Sequence, residues 1–385
     1  MVATGSGGRP ALLRRHNQAL ILDALRRAGD VTRPELARRT GLAWPTVSRL
    51  VDDLIGRGLV EDTGHTEPGR GRPATTVRLR PTGAYAVGGE LDRQGIRLVV
   101  TDLHGTVRGA AELDRGDEPA AELRAMAGRV EALLADIGVP AERVLGIGLG
   151  VPGQLDPERG LLVGPAHLPG WSQVPIVALL SDLLPYPVTV DNDANLAAVG
   201  EFLLGGHRAR NLVSVYAGSG IGAGLVLDGR LYRGRANGVG ELGHCTIDPA
   251  GPACFCGRSG CVEVFASTGA MAVSAGLPGF AELLAEEAAG VPAARSALRF
   301  GGEHLGLGLA HLINLLDPDL VVLAGEAAAS TTFEVAVFEA MRRHTFLAGS
   351  REIEARRSAL GRDAVAQGAA ATVLTELFES PLGQG

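Results

Sequence analysis

All four cysteines of this chain, Cys245, Cys254, Cys256 and Cys261, fall in one short stretch that also carries His244. Soft sulfur donors and an imidazole at this spacing suit a tetrahedral zinc ion in a structural role. The preferred ligands are His244, Cys254, Cys256 and Cys261, with Cys245 as the rival to His244. Free core cysteines or a disulfide pair are the competing readings. Gly257 and Gly260 let the backbone turn tightly around the metal. Glu241 and Glu263 stand just outside the ligand set, so the ion is expected to brace a polar site.

Asn192 and Asp193 add to that site. They follow a run that reads as a strand, and α/β proteins place ligands at strand carboxyl ends. Together with Glu241, His244 and Glu263 they offer carboxylates, an amide and an imidazole. Acceptors with donors between them match vicinal hydroxyls, so the expected ligand is a polyol or a sugar. Asn192-Asp193 also reads as a cap for a helix over 194–203. Gly218 to Gly224 form a glycine-rich loop between two strands, which either cradles a phosphate or only closes a hairpin.

The elements that hold these residues occupy the chain beyond about residue 84. Strands are expected at Ile96–Asp102, Val144–Gly150, Pro187–Val190, Leu212–Tyr216, Leu225–Leu227 and Leu320–Leu323. Helices are expected at Glu118–Ile137, Ala194–Leu203, Glu303–Leu316 and Ala364–Phe378. Strands recur in both halves with helices between them, which predicts an α/β body of two similar lobes around a cleft.

Residues 1–80 read differently. Leu12 to Arg27 has a helical apolar face. Thr32-Arg33-Pro34-Glu35 starts a second helix with a capping box, and Gly41 turns the chain. A third helix runs from Trp44 to about Ile55, with Val47, Leu50, Val51 and Leu54 inward and Trp44, Thr46, Ser48 and Arg49 outward. Ala43 stands at its N-cap, where Ser or Thr would contribute about 1 kcal/mol. Two strands near 58–61 and 76–79 then flank a Gly69-Arg70-Gly71-Arg72-Pro73 tip. This is a winged helix-turn-helix: helix three for the major groove, Arg70 and Arg72 for the minor groove or phosphates. Arg80-Pro81-Thr82-Gly83 reads as a short linker.

Charge supports the division. The net charge is −7. Residues 1–80 nevertheless hold 14 arginines against 8 acids, while the rest is strongly acidic. A basic head on an acidic body is expected to meet a polyanion through the head alone. The chain contains no lysine, which excludes a P-loop and Schiff-base chemistry. No export signal or apolar run of spanning length is evident, so a cytoplasmic location and no membrane partner are expected.

The motifs together resemble the ROK family (repressors, open reading frames and sugar kinases) over essentially the whole chain. The resemblance rests on Val151-Pro152-Gly153, Leu168-Pro169-Gly170-Trp171, Asp191-Asn192-Asp193-Ala194-Asn195, Gly220-Ile221-Gly222, Gly240-Glu241-Leu242-Gly243-His244 and the Cys254 to Glu263 run. It implies an actin-like ATPase body, zinc, and sugar held by Asn192, Asp193, Glu241, His244 and Glu263. Asp193 matches the catalytic base of the kinase members. It also implies a dimer or dimer of dimers. Within the family the chain looks like repressors responsive to xylose, N-acetylglucosamine or glucose. The family kinases carry a phosphate turn reading roughly Asp-x-Gly-Gly-Thr. Here Glu90-Leu91-Asp92-Arg93-Gln94 replaces both glycines and the threonine, and an added carboxylate opposes polyphosphate binding. The expectation is a repressor that binds an operator and a sugar or sugar phosphate and is not an enzyme. The alternative is an ATP-dependent sugar kinase carrying a DNA-binding head.

Overall fold

The computed structural model describes residues 8–67, 74–116, 118–156, 159–164, 168–235, 237–346 and 353–379. It begins with α1 (Gly8–Ala28), β1 (Val31–Thr32), α2 (Arg33–Thr40), α3 (Trp44–Gly56), β2 (Val60–Glu67) and β3 (Ala74–Leu79). Gly41 ends α2 in the left-handed region at φ 68°, a conformation glycine adopts without strain. Thr32 caps α2 by accepting from Glu35 N at 3.4 Å. The capping box is only half made, because Glu35 turns its carboxylate to Arg39 and Arg38. Ala43 gives α3 no side-chain cap. Val47, Leu50, Val51 and Leu54 are buried as the periodicity predicts. The strands β1, β3 and β2 pair antiparallel in that order. β1 is too short to show a pattern in the sequence.

The body has two lobes of the same topology. The first holds β4 (Tyr85–Leu91), β5 (Gly95–Asp102), β6 (Val107–Asp114), α4 (Pro119–Asp136), β7 (Val144–Val151), β8 (Leu155–Asp156), β9 (Leu161–Leu162), α5 (Ile176–Leu183) and β10 (Val188–Asn192). From there α6 (Asp193–Leu204) leads into the second lobe: β11 (Leu212–Ala217), β12 (Ile221–Leu227), β13 (Arg230–Leu231), α7 (Glu263–Ala266), α8 (Thr268–Ser274), α9 (Phe280–Ala288), α10 (Pro292–Leu316), β14 (Leu320–Ala324), α11 (Thr331–His344) and β15 (Glu354–Arg357). The closing helix is α12 (Ala364–Phe378).

The sheet orders are β10-β7-β4-β5-β6 and β13-β12-β11-β14-β15. In each, an antiparallel three-strand meander is extended by two parallel strands. In each, a helix then leaves the fifth strand and crosses: α6 packs on β11 and β12, and α12 on β4 and β7. The crossing requires close backbone approach. A side chain at Gly88 or Gly148 would strike the carbonyls of Ala366 or Ala369, and one at Gly368 that of Leu196. Leu196, Ala197, Ala364, Val365 and Ala369 fill the seam between α6 and α12.

No flexible tether separates head and body. Pro81–Gly83 forms a single 3-10 turn. Ala370, Val373 and Leu374 of α12 share one buried cluster with Ile21, Leu22, Leu25, Leu54 and Leu79, and Arg26 lies over the Phe378 ring at 5.5 Å.

Candidate functional site

The cysteine segment folds into a small knot. Thr246 bridges Cys261 and Ala253 bridges Ser259. Gly257 and Gly260 take φ values of 86° and 63°, and a side chain at Gly260 would strike the Asp248 carbonyl. His244 Nδ1 lies 3.7 Å from Cys254 Sγ, and Cys256 Sγ 3.6 Å from Cys261 Sγ. The four donor atoms lie within 4.8 Å of one another. Zinc–sulfur bonds of about 2.3 Å put tetrahedral ligands roughly 3.8 Å apart, so these four residues fit the ion. Burial pushes the Cys261 thiol up to about 12, so a thiolate there needs a cation beside it. Cys245 lies outside the cluster, with its thiol donating to Glu241 O at 3.8 Å. Between the two rivals, geometry selects His244. With Nδ1 in the cluster, its ring has Nε2 left for a second partner.

Asn192, Asp193, Glu241, His244 and Glu263 line one cavity of about 430 Å³. They come from three places. Asn192 and Asp193 sit where β10 passes into α6. Glu241 and His244 lie on the 3-10 turn before the knot, and Glu263 opens α7 behind it. Glu263 is buried, and its Oε2 accepts from Ile221 N at 2.9 Å. That bond ties the knot to the start of β12. Asn192 also does what the cap reading predicts: its Oδ1 accepts from Asn195 N at 3.2 Å, and its Nδ2 donates to Gly153 O at 3.2 Å. One amide hydrogen remains for a ligand. Burial, with Glu241 and Asp92 nearby, pushes Asp193 up to about 7. Glu241 is raised by its burial; His244 works against that shift and Glu263 adds to it.

Sequence reasoning passed over Gln154, Tyr216, Phe255 and Arg258, which line the same cavity. Arg258 lies inside the cysteine knot, where the run Cys256-Gly257-Arg258-Ser259-Gly260-Cys261 was the available signal. Tyr216 had none: its hydroxyl donates to Glu90 Oε1 at 2.7 Å across 126 positions of sequence. Glu90 is only 4 % exposed, and burial pushes its carboxyl up to about 8. That bond joins β4 of one lobe to β11 of the other.

The turn after β4 is closed on itself. Asp92 Oδ1 accepts from Gln94 N at 2.7 Å and from Gly95 N at 3.0 Å. Backbone N–H groups of this kind are what a phosphate would need, and here a built-in carboxylate takes them. Glu326, from the other lobe, is raised by burial while Gln94 and Asp92 face it. The loop at Gly218 is a tight hairpin, with Gly218 N donating to Gly220 O at 2.9 Å.

In the head, Trp44 is 56 % exposed and Arg49 is exposed. Thr46 and Ser48 are half-buried rather than fully outward, because both flank the inward Val47. Arg70 and Arg72 lie outside the described residues.

Comparison with known proteins agrees with this architecture. The profile of the ROK family matches residues 87–376, and that of the MarR family residues 13–71. The xylose repressor of Caldicellulosiruptor bescii is 27% identical over 97% of this chain and 99% of its own length. A solved ROK family transcriptional regulator, a homologue of the E. coli MLC protein, superposes with a TM-score of 0.80, covering 95% of this chain and 97% of its own at 24% identity. That likeness is one of fold. A ROK hexokinase from Thermus thermophilus matches at 33% identity, 76% of this chain, 99% of its own and a TM-score of 0.64. This chain thus has an N-terminal winged helix-turn-helix of MarR type followed by an actin-like body of two lobes. With a family match over most of its length, the chain belongs to the ROK family.

Proposed function

We propose that this protein is a sugar-responsive, DNA-binding transcriptional regulator, acting as a repressor. Residues 1–80 are its operator-binding domain and residues 84–385 its effector domain. The sugar or sugar phosphate sits in the cavity of about 430 Å³, held by Asn192, Asp193, Glu241, His244 and Glu263. The observation that carries this reading is their convergence beside the His/Cys cluster, in a chain that also bears a basic winged head. His244, Cys254, Cys256 and Cys261 would hold a structural zinc ion, which when bound supplies rigidity to the knot. His244 then presents Nε2–H to a hydroxyl. Trp44, Thr46, Ser48 and Arg49 read the major groove, and Arg70 and Arg72 the flank. Two copies act on a two-fold operator. The setting is the cytoplasm, where the operator is.

Ligand changes operator affinity only through its preference for one lobe arrangement. Couplings of about 1–3 kcal/mol give roughly 5–150-fold. The test is operator binding titrated with pentoses, hexoses, N-acetylhexosamines and their phosphates. One of them shifts the affinity within that range, and Glu263→Gln removes the response. Arg49→Ala weakens operator binding with or without sugar. Indifference to every compound sinks the effector assignment.

Kinase activity is the second reading, favoured by one observation: Asp193 is a half-buried carboxyl lining the cavity and pushed up to about 7, as a general base would be. Against it stands the Asp92 turn, whose amides are already taken. ATP-dependent sugar phosphorylation that Asp193→Asn abolishes would reverse this ranking.

A further inference from the structure

The cavity of about 430 Å³ is larger than one sugar ring needs. Cavities of roughly 300–1,000 Å³ ordinarily enclose drug-sized ligands, and a monosaccharide is smaller than those. The wall also changes chemistry along its length. Asn192, Asp193, Glu241 and Glu263 present mostly oxygen acceptors, which suit the O–H groups of a single ring. Next to them stands His244, whose ring meets that of Phe255 edge-on, with centroids 4.9 Å apart and planes at 84°.

From Phe255 outward the lining is of another kind. Phe255 is 58 % exposed. An exposed apolar side chain alone carries no message, but this one lies on the cavity wall together with Arg258 and Gln154, both exposed. Arg258 brings N–H donors and no acceptor, and Gln154 brings an amide. An aromatic face beside such donors matches a pyranose, which has an apolar C–H face and a rim of oxygens. The parts come from both lobes. Gln154 precedes β8, and its carbonyl accepts from Val163 N at 2.9 Å, which closes the β8–β9 hairpin. Gly164, just past that hairpin, also lines the cavity, and a Cβ there would meet nothing within 4 Å. Phe255 and Arg258 belong to the knot, where Cys254 N donates to Arg258 O at 2.7 Å. This outer compartment is therefore bounded by the hairpin of one lobe and the knot of the other.

We propose that the outer compartment is a second sugar subsite, and that the effector is a disaccharide or longer glycoside. Its first ring sits among Asn192, Asp193, Glu241, His244 and Glu263. Its second ring lays a C–H face on Phe255 and takes hydrogen bonds from Arg258 and Gln154. This rests on the sugar reading above and names the ligand class for it. A glycoside of that length touches hairpin and knot together, so its second ring adds to the preference for one lobe arrangement.

Calorimetry of the full chain with matched pairs tests the proposal: D-glucose against cellobiose and maltose, D-xylose against xylobiose, N-acetylglucosamine against diacetylchitobiose. One disaccharide binds roughly tenfold tighter than its own monosaccharide. Phe255→Ala and Gln154→Ala each reduce that ratio to roughly threefold or less. Metal content and Tm of Phe255→Ala report on the knot; Gln154 stands in the other lobe, so its effect does not pass through the cysteines. Monosaccharide binding with no disaccharide gain, or a gain that survives both substitutions, overturns the second subsite and leaves the sugar reading intact. A gain for monosaccharide phosphates alone, lost in Arg258→Ala, makes Arg258 an anion anchor and also overturns it. If no sugar of either length binds, the effector reading itself fails and the subsite with it.

Discussion

The two sides of the cleft face each other yet differ in what they leave open. On the knot side, Glu241, His244 and Glu263 converge on a cavity of about 430 Å³. On the other side, Asp92 fills its own turn and Glu90 is held by Tyr216. Both sides are rich in carboxyl groups. The difference lies in whether those groups point at a ligand or at the chain's own N–H and O–H groups. In one actin-like body, the cavity beside the knot stays open while the turn after β4 is filled by its own Asp92 carboxylate, with no change of topology.

The contrast breaks most readily on the knot side. Cys256→Ser, or metal removal by a chelator, is expected to lower Tm by on the order of 10 °C and to abolish sugar binding, because binding energy of a structural ion is folding energy. Scanning calorimetry of the metal-loaded and stripped protein checks this. Unchanged melting after verified removal would contradict a structural ion.

The next effect spans both sides. Glu90 and Asp193 are raised by burial to about 8 and about 7. The folded chain thus keeps protons that the unfolded chain releases near pH 4. Their contribution is fully present below that point and is lost as pH rises through 7 to 8. Relative to Glu90→Gln, wild type should lose on the order of 4 kcal/mol between pH 5 and 8.5, several degrees in Tm. Melting curves that run parallel across that range would remove Glu90 from the account.

The smallest effect sharpens the comparison. Asp92→Gly frees the Gln94 and Gly95 amides, and Mg-ATP should bind this variant more tightly than wild type, in the millimolar range. Calorimetry with Mg-ATP reads it. Equal binding by both proteins would mean that self-capping is not what closes the turn.

Much of this was legible beforehand, for local reasons. Cysteine spacing announces the knot because its ligands lie close in sequence. The inward face of α3 and the whole of α12 follow from periodicity. The expected strand and helix around Asn192-Asp193 meet at the cavity those two side chains line. Other parts were hidden by distance or by glycine. The Tyr216–Glu90 bond joins two lobes with no sequence signal. Helix α10 begins at Pro292, not at the expected Glu303, and runs on through Gly301 and Gly302. In the fold they are needed for contact: a Cβ at Gly302 would come 2.7 Å from Ala336 Cβ and from Phe333 O. The outward placement of Thr46 and Ser48 was overstated, since both are half-buried beside the inward Val47.

The sharing of α12 between the head and the first lobe bears on how such regulators can be re-engineered. Transplanting residues 1–80 alone onto another effector body would expose Ile21, Leu22 and Leu25 and leave the graft without its floor. A working chimera must carry a matching version of Ala370, Val373 and Leu374 with it, so the practical unit of exchange is discontinuous in sequence.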